Sequence, residues 1–251
     1  MINREKTFSH ELEVFRIEVD SAIQFFYARL SIHSFLVKNE KALRLVNETP
    51  LFWLTIAGAL QTSFFISLGR IFDQETKTHN VYKLLKISQD NSDIFSKEAL
   101  EARKRKESEN ANEWIDDFMK NVYVPTDSDF RRLKKLVSKY RQVYENGYQD
   151  IRHKVFAHKE KSEPDDVHKL FEKINTHEVQ KMLVFLEHLY ICLRELFNNG
   201  TKPVLLLIKT MSKAEIPEGQ ITQVQEHMVR ETEKFFRMLS SIPNQEMHRI
   251  C

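Results

Sequence analysis

Turn-forming residues are scarce in this chain. It holds 5 Gly and 6 Pro among 251 residues. An all-β chain of this length needs many tight turns, and Gly and Pro are the residues that make them readily. The apolar pattern agrees. Between Glu5 and Val37, the residues Phe8, Leu12, Phe15, Ile17, Ala22, Phe25, Phe26 and Leu30 recur at helical spacing. The sequence therefore predicts an all-α fold.

Further helices follow along the chain. A second is expected to begin near Lys41 or to restart at Pro50, with Thr49 as N-cap and Pro50 at the first helical position. It should reach Phe72 or Asp73. Its segment Pro50 to Gly69 is long and apolar enough to suggest a membrane span. Thr55, Gln61, Thr62, Ser63 and Ser67 would be costly in lipid, so the expectation is a central buried helix. The polar stretch Gln74 to Asn80 breaks the pattern. Short helices are expected over Val81–Ile87, Ser92–Lys106 and Trp114–Val122. The charge run Arg103 to Lys106 reads as a solvated face or a mobile excursion.

Thr126-Asp127-Ser128 should cap a long helix running from Asp129 toward His158, with Gly147 inside it. A polar break covers Lys159 to Asp166, with a short turn expected over Val167–Ile174. The next helix starts near Thr176 and stops at Asn198-Asn199-Gly200. Leu205 to Ile208 fits strand or helix, and Glu218 to Leu239 should form a last helix. Four long amphipathic helices suggest an antiparallel bundle. The expected division is a bundle over 1–200, with a helical insertion at about 75–124, and a C-terminal helical extension over 201–251.

Composition narrows the function classes. Hydrophobic residues make up 41% and charged residues 29%, which suits a folded domain. Net charge is +2, from 38 basic and 36 acidic side chains. That field is too weak to imply general nucleic-acid binding, so any RNA contact must come from a local patch. Cys192 and Cys251 support neither a disulfide framework nor a zinc site. With an N-terminus lacking an apolar signal core, they suggest a reducing, cytoplasmic setting and no membrane. His177, Glu178 and His188 do not make a metal site, because the two His are about three helical turns apart. No metal or cofactor is expected. The run Arg131, Arg132, Lys134 and Lys135 is either a solvated face or a guide for RNA.

One segment stands out: Arg152, His153, Lys154 and His158 place four basic or imidazole side chains within seven positions at the end of a helix. Basic groups there complement the negative helix terminus, which is one reading. The other is a phosphate-handling pocket. Lys154 and His158 are four apart and share a helix face. Arg152 and His158 are six apart, so on a regular helix they diverge by roughly 120°. They converge only if the helix loosens or if two copies of the chain face each other.

The string "IRHKVFAHKE", Ile151 to Glu160, resembles the motif of abortive-infection HEPN proteins, an Arg followed a few residues later by a His. Upstream, "SLGRIFDQ", Ser67 to Gln74, is similar to the end of the second helix in that group. The resemblance spans about residues 5 to 200. It implies a homodimeric bundle of four to five long helices with both Arg-His pairs lining one cleft. It also implies a metal-independent endoribonuclease acting on RNA in phage defence or toxin–antitoxin growth arrest, with an antitoxin or defence partner.

By that match His158 is the general acid/base and Arg152 the phosphate clamp. His153 stands where the family often has Asn, and Lys154 adds charge. Arg70 and Asp73 point to the cleft from the second helix, or else form an i,i+3 salt bridge. A Tyr modified in some members is replaced here by Glu160, so that regulation is not expected. The alternative is a non-catalytic helical module that binds a protein or nucleotide partner.

Overall fold

A computed structural model describes residues 2–146, 175–205 and 223–241. These hold nine α-helices, two short 3-10 turns and no strand. The helices are α1 (Ile2–Lys38), α2 (Glu40–Glu48), α3 (Pro50–Ile71), α4 (Val81–Asp90), α5 (Lys97–Glu107), α6 (Ile115–Lys120), α7 (Asp127–Tyr144), α8 (Thr176–Asn199) and α9 (Gln223–Ser241). The all-α expectation holds. Gly147, the break Lys159–Asp166, the turn Val167–Ile174, Leu206 to Ile208 and Cys251 lie outside the described residues.

α1 is the axis of the bundle. It has no Gly or Pro to interrupt it. Phe8, Leu12, Phe15, Val19, Ala22, Ile23 and Tyr27 form one buried stripe along it. α2, α3, α4, α8 and α9 all pack on α1. The pairing with α3 is antiparallel, since Glu18 meets Arg70 while Phe26 meets Phe64. Each fully buried Phe or Leu along the stripe stabilises by roughly 1.5–3 kcal/mol.

Residues from the expected insertion enter the same core. Val81, Leu84, Leu85, Ile94 and Phe95 pack with the α1 stripe and with Phe130, Leu133 and Val137 of α7. Ser92 to Lys106 is not one helix. A 3-10 turn, Ser92–Phe95, ends at Ser96, whose hydroxyl accepts from the Ala99 amide at 3.1 Å and starts α5. Nor is its charge run wholly solvated. Arg103 is 13% exposed and donates to Glu5 at 2.7 Å, Ile94 O at 2.9 Å and Phe197 O at 2.8 Å. Its guanidinium lies 4.0 Å from the Phe197 ring centroid. The cation thus meets the carbonyl end of α8, where the helix dipole is negative.

α3 departs from expectation. Thr49 and Pro50 hold the predicted places, but the Thr49 side chain makes no cap bond. The helix is not buried throughout. Phe64, Phe65, Leu68 and Ile71 lie in the core, whereas Leu51 is 79% exposed and Leu54 70%. The reason is register: α1 and its neighbours cover the second half of α3 and leave most of the first uncovered.

Gly200 ends α8 in the left-handed region at φ 59°, and its carbonyl accepts from the Tyr123 amide at 2.7 Å. A Cβ there would sit 2.6 Å from Val122 Cγ1 and 3.0 Å from Leu100 Cδ2. Only Gly lets α8 stop while the 100–123 segment packs against its end. Gly200→Ala is expected to cost at least ~1–2 kcal/mol from backbone handedness alone. A urea titration should show a lower midpoint with an unchanged m-value.

Candidate functional site

Arg152, His153, Lys154 and His158 lie outside the described residues. The helices on either side of them in the chain are described. α7 leads toward the segment. Its start is set by Asp129, whose buried carboxylate accepts from the Thr126 amide at 2.9 Å and from the Tyr123 hydroxyl at 2.7 Å. Those bonds outweigh burial and hold Asp129 below the usual carboxylate range. Near its other end Tyr140 stacks on Phe185 of α8 at 4.1 Å, and Tyr144 stacks on Phe72 at 5.4 Å. The helical backbone continues past Tyr144 through Glu145 and Asn146 as a wider π-type turn. Arg141 clasps Glu145 there, at 2.8 Å from Nε. α8 begins where Asn175 accepts from the His177 amide at 3.1 Å.

The Phe72–Tyr144 stack ties the upstream string to α7, the last described helix before Ile151–Glu160 in the chain. Phe72 belongs to Ser67–Gln74, and Tyr144 closes the helix that leads to Arg152. The neighbouring polar pair does not form the expected i,i+3 salt bridge. Arg70 and Asp73 make no side-chain pair with each other. Arg70 is exposed and reaches Glu18 at 3.1 Å. Asp73 caps the turn after α3, accepting from the Gln74 amide at 2.7 Å and the Thr78 hydroxyl at 3.1 Å.

The AbiU2 family model, of the HEPN type, matches residues 5–210. The chain belongs to this abortive-infection HEPN family. No curated protein and no solved structure matches it. The matched span takes in both strings, α1 through α8, and the chain between α7 and α8.

Two charged clusters of this AbiU2 family member escaped the sequence reading. The first joins α1 to the start of α4. Glu11, 5% exposed, takes hydrogen bonds from His79 Nδ1 and Lys83 Nζ, both at 2.8 Å. Burial pushes its carboxyl up, but those two partners outweigh it and hold the pKa below the usual range. Glu11 lies 68 residues before His79, so no local pattern could pair them. Of the basic run on α7, Arg132 donates to Pro203 O at 2.5 Å and Lys134 to Gln89 at 2.6 Å, which makes these two structural. Arg131 and Lys135 remain exposed. Among the described residues, no group of three or more His, Cys, Asp or Glu is placed to hold a metal.

The second cluster lies between α1 and α8. Burial, and then the charge of Asp20, push the Glu187 carboxyl up to about 7. Asp20 is itself raised by burial, although Arg16 stands 2.6 Å away. Unfolded, Glu187 titrates near its ordinary value of 4.5. Folding therefore favours the protonated carboxyl. The cost of ionising it is absent at low pH and appears as pH rises from 4.5 through about 7. Glu187→Gln removes that cost. Its melting temperature is expected to exceed the wild type's above neutral pH, and the gap should close as pH falls toward about 4.

Proposed function

We propose that this chain is a metal-independent endoribonuclease of the HEPN type that works as a homodimer, in phage defence or toxin–antitoxin growth arrest. One observation carries the reading. The Arg152-to-His158 motif lies inside the family match, and the described helix before it in the chain, α7, is stacked through Tyr144 on Phe72 of the upstream string. An antitoxin or another defence protein is its expected partner.

The chemistry suits the residue types. The ribose 2′-oxygen attacks the adjacent phosphorus, and the bond from phosphorus to the 5′-oxygen breaks. The 2′-hydroxyl must lose a proton and the leaving 5′-oxygen must gain one. His titrates near neutrality and serves either transfer, so His158 is assigned the proton role. Charge gathers on the phosphate oxygens in the transition state. Arg152 presents a rigid fork of donors to them. The products are a 2′,3′-cyclic phosphate and a free 5′-hydroxyl. The nucleophile is already part of the substrate, so the scheme needs no metal. Lys154 and His153 supply further positive or titratable groups beside the phosphate. Arg70 and Asp73, just before and after Phe72, are assigned to support the site from α3.

RNA cleavage is the test, run on the full chain in EDTA with RNAs of several kinds. Wild type should leave cyclic-phosphate ends. His158→Ala should lose on the order of 10²–10⁴-fold in rate, and Arg152→Ala should fall by a comparable factor. Equal activity in wild type and His158→Ala, or none in either, sinks the assignment.

A further inference from the structure

Among the described residues nothing packs on Gly58. It lies in the middle of α3, where Gly is a poor helix residue. A Cβ built on it would meet nothing within 4 Å. It belongs to an uncovered face. Leu51, Thr55, Gly58, Ala59, Thr62 and Ile66 fall on one side of the helix. Of these only Thr62 is half-buried; Leu51 is 79% exposed. No charged residue occurs from Pro50 to Gly69. A bare apolar face of this length is unusual on a soluble monomer and marks a contact surface.

The order of residues on that face reads the same in both directions. Outward from the point between Gly58 and Ala59 come Thr55 and Thr62, then Leu51 and Ile66. We propose that this face of α3 is where a second copy of the chain docks, antiparallel, about a two-fold axis between Gly58 and Ala59. In that register Leu51 meets the partner's Ile66 and Thr55 meets the partner's Thr62. The small pair at the centre lets the two backbones come close. A two-fold contact must be self-complementary, and this one is.

The charges beyond the stripe fit the same register. Arg70 lies near one end of α3, and Glu48, exposed, lies just before the other. Antiparallel pairing brings Arg70 of each copy toward Glu48 of its partner, at both ends of the contact. A lipid surface asks for no such order and gains nothing from Thr55, Gly58 and Thr62 at the centre of the face. α3 is also committed on its other side to the core, through Phe64, Phe65 and Leu68.

The inference rests on the proposed function for the presence of a dimer and shares Arg70 with it, and the two can still fail separately. Sedimentation equilibrium on the full chain is expected to show a dimer. Gly58→Leu adds a side chain into open space, so the chain should keep its helical circular dichroism and melting temperature while dimerisation weakens roughly a hundredfold or more. Glu48→Arg should weaken the dimer, and adding Arg70→Glu should restore it.

A wild type that stays monomeric at high micromolar concentration overturns the proposal. So does a Gly58→Leu chain that dimerises as well as wild type, or a monomer that floats with phosphatidylcholine vesicles. A dimer that obeys these variants yet cleaves no RNA keeps the interface and removes the ribonuclease. A monomer that cleaves RNA and needs His158 removes the interface and the homodimer but leaves the roles of Arg152 and His158 standing.

Discussion

The buried stripe of α1 is the interaction on which the rest depends. A helix of 37 residues cannot stay straight and single in water by propensity alone. Its stability comes from laying one face against five other helices. Phe8 at one end packs with Phe95 and Phe197, and Tyr27 lies well along toward the other. Removing any one neighbour would expose part of that face. The bundle is therefore less a set of hairpins than one axial helix with others laid against it.

Ties of a different kind hold the neighbours in register. Arg103 binds the start of α1, the turn before α5 and the end of α8 with one guanidinium. Gly200 lets the chain turn out of α8 and hands its carbonyl to Tyr123. Asp129 starts α7 from three donors, and Glu11 pins the start of α4 to α1. Most of these bonds involve a charged or backbone partner with little access to water, where a lost partner leaves a costly orphan. Together they set the line of α7. The aromatic stacks Tyr140–Phe185 and Phe72–Tyr144 complete that alignment.

Much of this was legible in the sequence, for a physical reason. Helix positions follow from apolar spacing, from start signals such as Thr126-Asp127-Ser128, and from stops such as Gly200, and all of these are local. The family strings were legible too, because they are contiguous. The partners of Glu11, Arg103 and Glu187 were not. Each meets groups tens of residues away, and charge alone gives no hint of which acids and bases are buried together. Arg103 was misread for that reason: beside Lys104, Arg105 and Lys106 it looked like surface. α3 was misread in the opposite sense, since an uncharged helix looks like core whether its other face meets this chain or something else.

The sequence by itself determined that the chain is helical, where most helices begin and end, and which HEPN family it belongs to. It determined these because spacing, caps and contiguous motifs act over a few residues. Only the tertiary structure decided that α1 is the axis, that Arg103 is a buried clamp, that Phe72 stacks on Tyr144 of α7, and that one face of α3 is left uncovered by the described residues. Those facts depend on which faces meet across long separations. Burial there is a property of the assembled helices and not of any one segment.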